Sequence, residues 1–349
     1  MNTKAAIDAL LPQAMGNPAA MLRIAEMMVD AGRKEEAAAL AEQALPLADA
    51  PTACRLHDLI AAQVPAWHFL LVRDRPRNAA YRAAIKAALT RRPGARVLEI
   101  GTGTGLLALY AAEAGAVEVV TCEANPLIAR AAAEVIAANG WSHKVRVIAE
   151  HSTKLDAARD MGWRADILVS EIIANDLLSE QVLPAHEHAM GALVADDAIV
   201  IPVAGVARVA LVEDTSRDRS SLGHVDGFDL SAFNRFVPWQ RRLRVDSDML
   251  MQRSDVADLF CFDLASANYA APGRATVTLT ASGGRATGVL QWLQLDLGGG
   301  VVYENLPGHA PSNWAAIHHR FAAPINTRPG QPVRVHGMHD RSRITVWTD

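Results

Sequence analysis

The stretch from Val97 to Asn125, VLEIGTGTGLLALYAAEAGAVEVVTCEAN, constrains the fold of this chain more than any other. A short apolar run ends in a glycine turn at 101–105. A segment of helical period follows, and a second apolar run closes on Glu123. Apolar runs of this length, without alternation, read as strands buried on both faces. A strand, a tight turn, a helix and a second strand form the unit of a parallel sheet. The pattern continues, with strands expected near 95–100, 117–122, 144–149, 166–171 and 197–201. Helices are expected near 76–90, 105–114, 125–139 and 176–192. In such sheets ligands bind beyond the carboxyl ends of the strands, and three of those ends carry Gly101, Glu123 and Glu171.

The flanks have different periods. Residues 1–62 are rich in Ala, Leu and Met and break at Gly16-Asn17-Pro18, Gly32 and Pro46. Small residues at Ala25, Gly32, Ala37, Ala41 and Ala44 allow two helices to approach closely, which resembles one tetratricopeptide repeat. A single repeat cannot bury its own face and must pack on the rest of the chain or on a partner. After Pro202 the helical period vanishes. RATVTLTAS, TGVLQWLQLDL, PVRVHGM and SRITVWT alternate or are β-branched, and glycine clusters punctuate them. That is an antiparallel β domain, a sandwich or a barrel. Within it GFDLSAFNRFVPWQRR (227–242) carries aromatics without alternation and reads as a protruding helical insert, a docking surface for a second copy of the chain. The expected division is therefore a helical segment 1–62, a Rossmann-like α/β domain 63–202 and a β-barrel domain 203–349, with an inserted arm at about 222–245.

The 349 residues carry a formal net charge of −4, which argues against a dedicated nucleic-acid binder. Three widely spaced cysteines, Cys54, Cys122 and Cys261, support neither a disulfide framework nor a cysteine-rich zinc site, so a reducing cytoplasm is expected. The first residues lack a signal-peptide core, and no run of about 18 apolar residues is present to span a membrane.

The glycines at 101, 103 and 105 lack the spacing of a dinucleotide turn, and no second nucleotide-binding unit follows. Glu123, about 20 residues on, is placed to accept both ribose hydroxyls of a nucleoside. Such a site suits S-adenosylmethionine. Glu99, Gly101, Thr102, Gly103, Gly105 and Glu123 are the expected cofactor-binding positions. Arg77, in RDRPRNAAY, is a candidate grip for the cofactor carboxylate, and Ser152 is expected beside the adenine. The strand ending in ADILVSEIIANDLLSE delivers Glu171 to the same edge, with Glu180 one loop further on. Two carboxylates beside a nucleoside site suit a cationic acceptor. A guanidinium stays protonated to a pKa of about 13 and presents a planar fork of donors, which two carboxylates can hold in one plane. The plainer readings are a salt-bridging acid for Glu171 and a solvated helix residue for Glu180.

The segments DRPRNAAYRAAI, VLEIGTGTGLLAL, VRVIAEHSTKL, ADILVSEIIANDLLSE, VLPAHEHAM, VDGFDLSAFN, GVLQWLQLDL and SNW resemble, in order and spacing, the protein arginine methyltransferases, most closely the protein arginine methyltransferase 7 subgroup. The resemblance covers about residues 67–349. It implies a methyltransferase domain, a β-barrel, a dimerisation arm and an arginine-containing protein or peptide, or a small guanidino compound, as substrate. It implies that Arg77 binds the cofactor carboxylate, Glu123 the ribose, and Glu171 with Glu180 the substrate guanidinium. The chain departs from the family in the barrel loop, where Ser312, Asn313 and Trp314 match a threonine-histidine-tryptophan triplet, so that the tryptophan is kept and the histidine is gone. Asn313 and Trp314 are the expected substrate-binding positions there. His318 and His319 follow on a strand, one facing each side. His186 and His188 flank Glu187, but a third ligand with zinc spacing is lacking, so no metal is expected. Two other functions remain open on the sequence: methyl transfer to a different nitrogen acceptor, and a non-catalytic scaffold that retains the cofactor site.

Overall fold

The computed structural model describes residues 3–215, 222–244, 249–266, 271–306 and 312–349. The last position of the expected arm, 245, lies outside them.

Four helices open the chain: α1 (Thr3–Ala14), α2 (Pro18–Asp30), α3 (Lys34–Ala44) and α4 (Ala50–Ala61). Their starts are written locally. Asn17 caps α2 through its side chain to the Ala20 N–H at 3.1 Å, and Asp49 caps α4 at Thr52 N with the same length. The small residues Ala25, Ala37, Ala41 and Ala44 are fully buried where α2 and α3 meet. This unit has its own apolar core of Ile7, Met21, Met28, Leu40 and Leu56. It meets the next unit through an Arg130–Glu42 ion pair of 2.7 Å and an Asn125 Nδ2 bond to the Gln63 carbonyl.

Helices α5 (Trp67–Leu71) and α6 (Arg75–Arg91) lead into a parallel sheet of β1 (Arg96–Ile100), β2 (Glu118–Cys122), β3 (Val145–Ile148), β4 (Ala165–Ser170) and β5 (Val194–Ile201), in the order β3-β2-β1-β4-β5. Helices α7 (Leu106–Glu113), α8 (Pro126–Ala138) and α9 (Val182–His188) connect them. Val97, Val119, Ile167 and Val169 face one apolar core, and Leu98, Val120 and Leu168 face another. Burial on both faces is why these strands read as continuous apolar runs. The strand order reverses between β1 and β4, and ligand crevices open at such a switch point.

The rest of the chain is antiparallel: β6 (Ala204–Asp214), the hairpin β7 (His224–Val225) and β8 (Phe228–Asp229), β9 (Gln240–Leu243), β10 (Leu250–Gln252), β11 (Ala257–Asp263), β12 (Gly273–Asp296), β13 (Val302–Glu304), β14 (Ala316–His339) and β15 (Ile344–Thr348). All but the hairpin join one eight-stranded sheet built on the long pair β12–β14, curled as a half-barrel against the α/β unit. The core does not stop between the two. Ile173, Leu177, Leu178 and Val182 join Ala207, Leu295 and Trp314 in the same cluster.

Two expectations are corrected. The helix expected over 176–192 begins only at Val182 and passes into a π-helical turn, Ala189–Leu193. Before it runs an irregular acidic loop in which Leu177 and Gln181 take φ of 75° and 63°, angles that stop a helix. Tertiary packing overrides local propensity here, because Leu177 is fully buried against the barrel. The arm is not a plain helical insert either. It is the β7–β8 hairpin, a 3-10 turn over Ser231–Phe236 and β9, which pairs with β14.

Candidate functional site

A cavity of about 500 Å³ opens at the switch point and is lined from the ends of β1, β2, β3 and β4. Gly101 follows β1 at φ +86°, and a Cβ there would stand 2.7 Å from Ile172 Cγ2. The turn therefore requires glycine for both its angle and the close approach of the chain after β4. Glu123 is anchored by backbone donors: the Gly103 N–H reaches Oε2 at 3.1 Å and the Asn125 N–H reaches Oε1 at 3.0 Å. Each oxygen keeps further lone pairs toward the cavity. Thr102, Gly103 and Ser152 also line it, though the Thr102 hydroxyl is turned inward onto Thr121 at 2.7 Å. Gly105 stands behind the turn as the N-cap of α7.

Deeper in the cavity lies a buried charge cluster. Arg77 and Glu171 have side chains 3% and 5% exposed and meet at 2.5 Å, Nη2 to Oε2. Arg77 Nη1 donates to Asn78 Oδ1, while its buried Nε has no partner. Beside it the two carboxylate oxygens of Glu99 are buried and unpartnered as well. Burial pushes the Glu99 carboxyl up to about 8 and that of Glu171 up to about 7. Burial is the largest single influence on Arg77 and works against its charge, but Glu171, Tyr81 and Asp74 together outweigh it and raise Arg77. A carboxylate accepting so short a bond from a guanidinium is ionised, so the pair is ionic and the Arg77 shift gives its sense. Glu180 is an exposed residue that lines the same cavity, and burial followed by Asp176 raises its carboxyl. The cleft thus holds an orphaned cationic donor next to an orphaned acid, with two further carboxylates in front.

The barrel holds this cluster from behind. Asp74 caps α6 through Oδ1 to the Arg77 N–H at 3.0 Å, aided by Pro76 in the first turn. Its Oδ2 takes the Asn313 N–H at 2.9 Å and lies within hydrogen-bonding reach of the Tyr303 and Ser312 hydroxyls at 3.0 and 3.2 Å. Burial pushes the Tyr303 phenol up, so it remains a protonated donor. Trp314 Nε1 donates to the Ile173 carbonyl at 2.7 Å, and the Ala315 N–H to Asn175 Oδ1 at 2.6 Å. Neither Asn313 nor Trp314 is on the cavity wall. Trp314 is buried behind the acidic loop with its indole N–H already bonded. His318 and His319 are likewise buried within the barrel sheet, and His319 bonds to Gln291 at 2.9 Å. Among the described residues no cluster of three His, Cys, Asp or Glu converges as a metal site.

Arg77, Glu99, Gly101, Thr102, Gly103, Glu123, Ser152, Glu171 and Glu180 therefore meet in one cleft. Sequence reasoning missed Asp74, Asn175 and Tyr303 as members of the surrounding network. Asp74 before Arg75-Pro76 carried a helix-start signal. Tyr303 carried none, because its partner is 229 positions away.

Residues 84–194 match the ribosomal protein L11 methyltransferase (PrmA) family. Over 307 residues the chain is 36% identical to an arginine N(omega)-methyltransferase of Streptomyces achromogenes subsp. streptozoticus, an alignment covering 85% of this chain and 84% of that protein. It is 31% identical over 260 residues to a protein arginine N-methyltransferase 7 of Oryza sativa subsp. indica, covering 68% of this chain and 36% of that protein. With the Drosophila erecta protein of the same name the match is 40% over 136 residues, covering 38% of this chain and a smaller share, 20%, of that protein. The chain thus spans between a fifth and little more than a third of these longer relatives. In fold it superposes on the Trypanosoma brucei PRMT1 enzyme–prozyme heterotetrameric complex with AdoHcy at a TM-score of 0.71 and 22% identity, covering 78% of this chain and 87% of that one. The half-barrel joined to the parallel sheet, and kinship over most of the length of the Streptomyces enzyme, lead to one conclusion: the chain belongs to the arginine N-methyltransferase family.

Proposed function

We propose that the protein transfers a methyl group from S-adenosylmethionine to a terminal guanidinium nitrogen of arginine, in a protein, a peptide or a small guanidino compound. One observation carries this reading. Glu171 is buried with Oε2 on Arg77, its Oε1 makes no hydrogen bond with the described residues, and Glu180 faces the same cavity.

The cleft fits the cofactor on its own chemistry. The unpartnered Nε of Arg77 offers a cation to the carboxylate of an amino acid, and the unpartnered carboxyl of Glu99, held up to about 8 by burial, ionises to meet its ammonium when that cation arrives beside it. The oxygens of Glu123 are presented to a ribose, and Ser152 borders the cavity where the chain leaves β3. When bound, the cofactor supplies an electrophilic sulfonium methyl that needs no metal. Glu171 and Glu180 hold the acceptor guanidinium as a plane and point one nitrogen at that methyl. Orientation of this kind contributes roughly 7–11 kcal/mol toward a barrier. The carboxylates also draw positive charge away from the attacking nitrogen. With the cofactor bound, the nitrogen held by Glu171 and Glu180 would take the methyl as the thioether departs with its electron pair, and the methylated guanidinium would release one proton to water. Asn313 and Trp314 act from behind, the first through Asp74 and the second through the acidic loop.

The same reading extends to the whole chain. The division into 1–62, 63–202 and 203–349 is supported by the change from helices to parallel to antiparallel strands. No helix among the described residues is long and apolar enough to cross a membrane; with three unpaired cysteines, this supports a cytoplasmic setting. Exposed aromatics on the arm support a homodimer.

Replacing Glu171 with Gln removes the charge that faces the guanidinium. Methyl transfer to arginine peptides and free arginine, assayed beside lysine peptides with labelled cofactor, should fall by about 10²-fold or more. Calorimetric affinity for the cofactor should change far less. A Glu171→Gln enzyme with full turnover would remove the assignment.

A further inference from the structure

We propose that His186 is a positioning residue which sets the relation between Glu171 and Glu180; the inference rests on the reading of those two acids as the acceptor grip. Cofactor binding makes no demand for VLPAHEHAM, the segment directly after the acidic loop. The structure shows what its three polar positions do.

His186 is fully buried on α9. Its Nδ1 lies 2.9 Å from the Leu264 carbonyl, which can only accept, so Nδ1 carries the proton. Its Nε2, 2.7 Å from Ser170 Oγ, is then the acceptor, and the serine hydroxyl donates. Burial, which pushes this imidazole down to about 4, keeps the neutral form throughout the working range. Ser170 is the last residue of β4 and the residue before Glu171. It is held twice: its side chain by His186, and its carbonyl by the Tyr81 hydroxyl at 3.1 Å. Meanwhile α9 starts two residues after Glu180. One imidazole therefore ties the strand end that bears Glu171 to the helix that emerges from Glu180, and its other nitrogen fixes both to the barrel at Leu264.

The neighbouring positions brace the same helix in other directions. Glu187 forms an ion pair with Arg341, in the turn between β14 and β15. His188 Nε2 donates to the Leu155 carbonyl at 2.9 Å, in the segment that follows Ser152. Both nitrogens of His186 and one of His188 are thus engaged by protein groups, and the pair is a strut rather than the beginning of a metal site. A helix fixed at three consecutive residues to a strand end, the barrel and the loop beyond β3 leaves Glu180 little freedom relative to Glu171. A misplacement of about 1 Å at such a grip costs roughly 10²-fold in rate.

The test compares His186→Ala, His186→Gln and Ser170→Ala with wild type and with Glu171→Gln. The readouts are kcat and acceptor KM on an arginine peptide and on free arginine, the ratio of mono- to dimethylated product by mass spectrometry, cofactor affinity by calorimetry, and Tm. His186→Ala should lose about 10- to 100-fold in kcat/KM for the acceptor, shift the product ratio, and hold cofactor affinity within about twofold. Gln offers one donor and one acceptor and should restore most of the loss. Ser170→Ala breaks the same bond without removing the ring; it should reproduce the defect and add nothing when combined with His186→Ala. Wild-type kinetics in Ser170→Ala, or additive losses in the double variant, overturn the strut, and Ser170→Ala gives this answer even if His186→Ala does not fold. Full turnover in Glu171→Gln sinks the grip reading itself. A dead Glu171→Gln beside an unimpaired Ser170→Ala sinks the strut alone.

Discussion

Glu99 shows how much one residue contributes to this cleft. Its place at the end of an apolar strand, just before the glycine turn, marked it as a cofactor contact, but its isolation becomes visible only in the folded chain. Burial raises its carboxyl from 4.5 to about 8. The sign of the linkage follows. An acid whose folded value lies above its unfolded value favours the fold when protonated, so this contribution is full below about 4.5 and is lost as pH climbs toward 8. A cation delivered beside Glu99 reverses the shift. Binding of S-adenosylhomocysteine at pH 7 should therefore release a fraction of a proton, and affinity should rise between about pH 6 and 8. Calorimetry in buffers of different ionisation enthalpy measures the release. Methylthioadenosine, which lacks the amino-acid end, should show none; equal proton release by both ligands would exclude Glu99 as the partner of the ammonium.

At the scale of an element, the acidic loop 171–181 carries both acids of the proposed grip and is the part least determined by its own residues. It has no regular structure apart from the Ala174–Leu177 bridge, and it holds Leu177 in a left-handed conformation that isolated leucine avoids. The barrel supplies the compensation. Trp314 bonds to its Ile173 carbonyl, Ala315 bonds to Asn175, and the Leu177 side chain fills the space over Gly205, where a Cβ would come within 2.7 Å of Leu177 Cδ1. Gly205 lies in β6 between β11 and β12, so the strand cannot move aside. Gly205→Val should cost about 1–3 kcal/mol of stability by overpacking. It should also lower kcat on arginine acceptors more than it weakens cofactor binding. Chemical denaturation and steady-state kinetics check this together; a Gly205→Val enzyme with unchanged kcat would show that the loop tolerates displacement.

At the scale of the whole molecule, two aromatic surfaces face outward. The arm exposes Phe228, Phe233, Phe236 and Trp239, and α5, beside the cavity, exposes Trp67, Phe69 and Leu70. Unlike patches on one chain close into a pair when each copy's arm lies on the other's α5, because a two-fold axis satisfies both at once. Apolar side chains left this open are more often covered than solvated. Sedimentation of the wild-type protein should give the mass of two chains at micromolar concentration, and the triple variant Phe228→Ser, Phe233→Ser, Phe236→Ser should give one. A wild type that sediments as a single chain would rule out the arm as a dimer contact.

The sequence by itself determined the alternation of helices and strands in the α/β unit, the glycine turn and the acids at the strand ends. These features depend on neighbours within a few positions: the period of apolar residues, a missing Cβ, a cap followed by proline. Only the tertiary structure decided where α9 begins, that Arg77 pairs with Glu171 across 94 positions, and that Trp314 is a buttress rather than a wall of the cleft. It also decided that Asp74 receives the barrel loop through Tyr303, Ser312 and a backbone N–H where the family has a histidine. The physical reason is common to all of them. The free energy of a buried group depends on the partner that folding delivers to it, and local periodicity carries no record of partners so far away along the chain.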